Sequence, residues 1–326
     1  MNRWSVRIAL LFTCLLAFPF RSPAPLIYVP GEGWTYETPG ATGGWQRTRA
    51  KDQLEVAQQA LNRKNHRLTL KAARRVVKIW PLSDYAPQAQ YLIGRSYEAR
   101  GQDEKAFKAY QQVIEKYPKI DVFQEILQRQ FVIATRFLGG QRFRILGVIP
   151  FFRSMEKTSD MYAKIIKNGP YSPIAPEAQM SIGAAREKQT NYPLAVKAYE
   201  RAADRYNDRQ EVASEAVYKA GLAYNKQAKT AEYDQSVAAQ AIATLTDFMA
   251  LYPADNRVGD AQKLITSLKV EQARGSFQTA KFYEKNKKWD GALIYYNEVL
   301  LKDPESQLAA TARGRIDSLK KRVGQK

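Results

Sequence analysis

One cysteine, Cys14, and one histidine, His66, are all that these 326 residues contain of either type. A lone thiol excludes an intramolecular disulfide, and with no second Cys or His neither residue has the company a tetrahedral metal site needs. His66, in "RKNHRLTL" between two expected helices, therefore reads as a solvated loop histidine. Acidic residues are in deficit as well: 32 Asp and Glu stand against 51 Lys and Arg, for a formal charge of +19. Glu98, Asp103 and Glu104 are scattered along expected helix surfaces, where solvation and local pairing are the usual roles, and no two carboxylates are spaced as an acid and a base. No G-x-S-x-G elbow, Walker loop or dinucleotide glycine pattern occurs, and "FLGGQRF" lacks the Lys-Ser or Lys-Thr that would follow a phosphate loop. These absences leave no catalytic residue, metal ligand or cofactor to name. The expectation is a protein that is not an enzyme.

Long apolar runs are scarce too. The run from Ile8 to Phe18 falls short of the roughly 20 residues a membrane-spanning helix needs. With Arg3 and Arg7 ahead of it, the run has the charged and apolar regions of an export signal. Residues 1–24 are thus expected to be a signal peptide or an N-terminal anchor. Cys14 is a candidate for lipidation, but Phe12 and Thr13 stand where a lipidation signal wants small residues, so its expected fate is removal with the signal. Residues 25–50 are rich in Pro and Gly without helical periodicity and read as a linker. For an exported chain the basic surface points to anionic membrane or acidic partners rather than nucleic acid.

What is present is a repeat. "PLSDYAPQAQ" at 81–90 returns as "PYSPIAPEAQ" at 170–179 and, more loosely, as "PADNRVGDAQ" at 253–262. The match extends downstream, where Ile93, Gly94, Ala106 and Tyr110 recur as Ile182, Gly183, Ala195 and Tyr199, each 89 residues on. Ala106, Tyr110 and Val113 form an i, i+4, i+7 stripe, the spacing of one helix face. Small residues at Gly94 and Ala106 allow two antiparallel helices to approach closely, with Tyr110 filling the space beside them. The Pro ends one unit, and the Ser or Asp two residues later is expected to cap the next helix by accepting from free backbone N–H groups.

Gly94, Tyr97, Ala106, Tyr110 and Pro118, and again Ala280, Tyr283, Ala292, Tyr296 and Pro304, resemble the tetratricopeptide repeat. Gln90 stands where that repeat has an early Trp. The fold expected is all-α: a tetratricopeptide-repeat solenoid of five to six helix pairs with a C-terminal capping helix, filling residues 51–326 as one stack with a concave surface. Pairs are expected at 51–80, 84–117, 121–168, 174–206, 211–252 and 258–303, with a last helix over 305–323.

Two units run long. "LGGQRFRILGVIPFFRS" at 138–154 interrupts the third pair, and Gly221 to Ala241 spans 20 residues where Gly94 to Ala106 spans 12. Insertions of this kind map to loops. Phe143, Ile145, Leu146, Phe151 and Phe152, with Val148 and Ile149, make the first insertion too apolar for an ordinary solvated loop. It must either pack back on the repeats or meet a partner or membrane. In "KAARRVVK", Lys71, Arg74, Arg75 and Lys78 fall on one helical stripe opposite Ala72, Ala73, Val76 and Val77. Residues 1–80 hold 13 basic and four acidic side chains, so this stripe is a solvated face or a contact for lipid headgroups or an acidic partner.

The phrases "WPLSDYAPQAQYLIGRSYEARGQDEKAFKAYQQVIEKYP" and "GSFQTAKFYEKNKKWDGALIYYNEVLLKDP" resemble the BamD-like outer-membrane assembly lipoproteins over about residues 50–320. The resemblance implies a non-enzymatic periplasmic scaffold at the outer membrane. It would bind the β-barrel insertase, other assembly-machinery proteins and unfolded outer-membrane proteins. The alternative is another periplasmic adaptor of the same repeat class, serving cell-wall synthesis, cell division or secretin assembly.

Overall fold

The computed structural model describes residues 26–29, 33–36, 45–145, 149–230 and 235–323. The export signal, Cys14, Leu146 and Val148 lie outside the described residues. Within the Pro- and Gly-rich stretch, β1 (Leu26–Val29) and β2 (Gly33–Tyr36) pair antiparallel. Six helix pairs follow: α1 (Ala50–Asn62) with α2 (His66–Ile79), α3 (Ala86–Ala99) with α4 (Asp103–Lys116), and α5 (Phe123–Leu138) with α6 (Met155–Asn168). The others are α7 (Ala175–Lys188) with α8 (Tyr192–Arg205), α9 (Gln210–Thr230) with α10 (Gln235–Leu251), and α11 (Val258–Lys285) with α12 (Trp289–Lys302). A last helix, α13 (Gln307–Val323), packs on α12. The fold is the all-α tetratricopeptide type, and every expected pair is present within a few residues of its expected bounds. The chain divides into two compact units, the first ending at Ile120 and the second beginning at Asp121.

In the second and fourth pairs a tyrosine ring is seated on a missing side chain. A Cβ on Gly94 of α3 would lie 2.4 Å from Tyr110 Cε1 on α4, and one on Gly183 of α7 would lie 2.3 Å from Tyr199 Cε1 on α8. Both rings are fully buried. Each phenol donates back across the pair to a carboxylate: Tyr110 to Glu98 at 2.7 Å, Tyr199 to Glu187 at 2.8 Å, and Tyr296 of α12 to Glu284 of α11 at 2.6 Å. Burial first, and the neighbouring carboxylate second, push the Tyr199 and Tyr296 phenols far above the ordinary range, so they remain donors. Glu98 is thus a partner for a buried ring rather than a solvating charge, and Asp103, at the start of α4, is itself buried. Gln90, in place of the expected Trp, lies buried and donates to Ala109 O at 3.2 Å, and Gln179 repeats the bond to Ala198 O at 3.0 Å. In the fifth pair Leu245 replaces the tyrosine, its Cδ2 2.7 Å from the position of a Cβ on Gly221. The extra length there goes into helix, with α9 having 21 residues where α3 has 14.

Two turn types alternate. Inside pairs, Lys64, Gly101, Thr190 and Lys287 take left-handed φ values of 56° to 63°. The next N–H reaches back to the carbonyl five residues earlier, as in Asn65 to Ala60 and Asn191 to Arg186. Between pairs, the repeated "PxS" serine acts differently from the expected cap. Ser83 Oγ donates to Trp80 O at 2.8 Å and Ser172 Oγ to Gly169 O at 2.7 Å, sealing the end of the preceding helix. The reason is that Ser83 and Ser172 sit three residues before the new helix begins, two short of the N-cap positions that Tyr85 and Ile174 occupy. Ser306 alone of the three also accepts, from Ala309 N at 3.1 Å.

At the equivalent turn before α11, Asp255 accepts from Arg257 N at 2.9 Å and from its guanidinium at 2.6 and 2.8 Å. The Arg257 side-chain bonds hold the Asp255 carboxyl well below the usual carboxylate range, against a smaller desolvation effect that raises it. A depressed carboxylate stabilises the fold above its unfolded pKa, and that stability is lost as pH falls toward the folded value. Asp255→Asn should therefore lower the urea midpoint at neutral pH, and the deficit should shrink as pH drops below about 4. A deficit independent of pH would show that the charge at Asp255 is not what stabilises the turn.

Candidate partner-binding surfaces

The expected basic stripe lies on α2, which begins at His66, so the histidine opens a helix and is half-buried rather than a loop residue. Ala72, Ala73 and Val76 are fully buried against neighbouring helices, which turns Lys71, Arg74 and Lys78 outward. Arg75 departs from the stripe: it is half-buried, lies over the Trp80 ring at 5.8 Å, and its Nε has no partner. Lys71 Nζ sits 4.8 Å from the Trp45 ring centre. Trp45 is held in turn by buried Gln53 of α1, whose Nε2 donates to Trp45 O at 3.1 Å while its Oε1 accepts from Arg47 N at 2.8 Å.

The three outward cations form one wall of a groove between α2 and α4, floored by α3. Two adjoining cavities of about 360 and 330 Å³ share Arg74, Tyr97 and Lys105. The groove also gathers Arg67, Arg100 and Lys108. Arg74 donates to the Tyr97 hydroxyl and lies over its ring, and Lys105 Nζ is 5.9 Å from the same ring. None of these cations makes an ion pair with a described residue. The cations of α3 and α4 escaped the sequence reading because each is an ordinary surface residue of its own helix. Only the pairing of α2, α3 and α4 brings them opposite Lys71, Arg74 and Lys78. The signal that could have found them is the density of Lys and Arg on either side of Tyr97.

The insertion of the third pair folds as a hairpin of β3 (Phe143–Ile145) and β4 (Ile149–Phe152), with a bulge between Phe143 and Arg144. Its aromatics part company. Phe143 is buried, stacked on Phe137 of α5 at 4.2 Å and on Phe152 at 5.9 Å. Lys157 of α6 covers both hairpin rings, at 5.3 and 4.6 Å. Phe152 is half-buried, while Phe151 is 64% exposed. At the entry to the hairpin Gly140 has φ +106°, a conformation that favours glycine, and its carbonyl accepts from Arg153 Nε at 2.9 Å.

In the second unit a cavity of about 640 Å³ opens among α11, α12 and α13, lined by Phe277, Trp289 and Tyr296 with Lys281, Lys285 and Arg315. Its acid, Glu284, is engaged by the Tyr296 hydroxyl and, at 3.6 Å, by Arg315. Among the described residues no group of three or more His, Cys, Asp or Glu is placed to hold a metal. No described helix is long and apolar enough to cross a membrane.

A tetratricopeptide-repeat profile matches residues 88–119, which contain α4 and most of α3. The profile of the YfiO family, described as outer membrane lipoprotein, matches residues 153–326, from the end of the hairpin through α13. No curated protein matches the chain. Among solved structures, the C-terminal part of a TPR repeat-containing protein from Cytophaga hutchinsonii is 14% identical with a TM-score of 0.37, over 82% of this chain and 88% of that one. MamA from Desulfovibrio magneticus RS-1 is 13% identical with a TM-score of 0.34, over 64% and 98%. PilW, described as a type IV pilus biogenesis factor, is 13% identical with a TM-score of 0.28, over 82% and 99%.

Proposed function

We propose that this chain, which belongs to the YfiO (BamD) family of outer membrane lipoproteins, is a non-enzymatic scaffold of outer-membrane β-barrel assembly. It works on the periplasmic face of the outer membrane and binds the barrel insertase, unfolded barrel precursors, or both. The observation that carries this reading is the family match over residues 153–326, which takes in α6 through α13. Repeats of this kind bury their apolar faces against neighbouring repeats and leave their other faces for protein contacts. In this reading residues 1–24 are the export signal or anchor, 25–50 the tether and 51–326 the scaffold. Phe151, at the exposed edge of the hairpin, is one contact for a partner.

Crosslinking of intact envelopes followed by affinity purification of the tagged chain tests the reading. The insertase should be recovered as a major adduct. Recovery of cell-wall, division or secretin proteins without the insertase would overturn it.

A further inference from the structure

We infer that the α2–α4 groove of the first unit binds an acidic, extended polypeptide segment. The inference names the chemistry of one partner segment and rests on the scaffold reading only in taking that partner to be a protein. The groove lies in residues 67–112, ahead of the stretch matched by the family profile, so nothing in that match assigns it.

Charge is the first argument. Lys71, Arg74 and Lys78 face Arg100, Lys105 and Lys108 with no carboxylate paired to any of them among the described residues. Carboxylates entering the groove would gain charge-assisted hydrogen bonds without displacing a carboxylate of the protein. Six cations also repel one another across a narrow space, so an acidic occupant relieves a cost that the empty groove bears.

Shape decides between a peptide and a membrane. The floor is the Tyr97 ring with Ile93 and the buried Gln90, set between two helices. A flat bilayer would touch the rims and leave this floor in water. A single extended chain can enter, placing acids against the walls and alternate apolar side chains on the Tyr97 face. From Arg67 to Lys78 the α2 wall runs about 16 Å at 1.5 Å per residue, the length of about five residues of extended chain. Across the floor Gln112 Oε1 accepts from Gln90 Nε2 at 3.0 Å, which leaves the remaining amide hydrogen-bonding capacity of Gln112 for a peptide backbone.

The test uses the full chain in detergent and a fluorescein-labelled peptide of about eight alternating Glu and Val residues, long enough to span the wall. A Gln/Val peptide of the same length and phosphatidylglycerol vesicles are run alongside. Lys78→Glu with Lys108→Glu reverses two exposed groove cations whose side chains hold no hydrogen bond or ion pair among the described residues. Lys269→Glu with Lys320→Glu makes the same change of charge at exposed positions outside the groove. The Glu/Val peptide should bind, the Gln/Val peptide should not, and the groove variant should weaken binding at least about tenfold while the control variant changes it little. Equal weakening by both variants would reduce the effect to diffuse charge and overturn the inference. Vesicle binding that is lost in the groove variant, without peptide binding, would overturn it in favour of lipid. Loss of peptide binding with the insertase still recovered leaves the scaffold reading standing, so the two fail separately.

Discussion

Gly183→Ala should destabilise the fourth helix pair by about 1–3 kcal/mol, the cost of forcing an extra carbon into a packed core. The new Cβ would lie 2.3 Å from Cε1, 2.6 Å from Cδ1 and 2.6 Å from Cζ of Tyr199, well inside contact distance. The ring cannot swing clear, because it is 1% exposed and its hydroxyl is tied to Glu187 at 2.8 Å. Gly94→Ala should behave alike in the first unit, where Tyr110 Cε1 stands 2.4 Å away. Gly314→Ala in α13 is the internal control, since nothing lies within 4 Å of its added carbon. There alanine should stabilise by up to about 1 kcal/mol through helix propensity alone. Urea unfolding of the three variants, with amide exchange to place the loss in the right pair, checks the ordering. If Gly183→Ala proves as stable as the parent, the close approach of α7 and α8 is wrong.

This contact also shows where the sequence was legible and where it was not. Gly94, Ala106 and Tyr110 recur at a fixed shift, which places the helices that carry them from the sequence alone. Periodicity reports which face of a helix is buried, and that is enough to pair neighbours. It does not report the partner of a buried polar group. Glu98 looked like a surface acid, yet it accepts from a tyrosine 12 residues away across the pair, as Glu187 and Glu284 do in theirs. Gln90 looked like a defect in the motif and is instead a donor to a backbone carbonyl of the facing helix. The basic groove was half legible for the same reason. The stripe on α2 follows from i, i+3, i+7 spacing, whereas Arg100, Lys105 and Lys108 join it only through tertiary packing.

The hairpin of the third pair separates two effects, packing by Phe143 and exposure of Phe151. Phe143→Ala should be the costly change, about 3–5 kcal/mol, because the ring is 3% exposed and lies between Phe137 and Phe152 under Lys157. Removing it leaves a cavity at the root of the hairpin and strips both neighbouring rings of a stacking partner. Phe151→Ser removes a ring that is 64% exposed and touches Phe152 edge-on at 6.2 Å, so stability should move by no more than about 0.5 kcal/mol. If Phe151 is a docking residue, its loss should lower recovery of the crosslinked partner while the melting temperature stays near that of the parent. Phe143→Ala should instead lower the melting temperature first, and lose partner recovery only as the hairpin loosens. A drop in melting temperature for Phe151→Ser as large as that for Phe143→Ala would return the whole hairpin to packing. Full partner recovery with Phe151→Ser at unchanged stability would remove Phe151 from the interface.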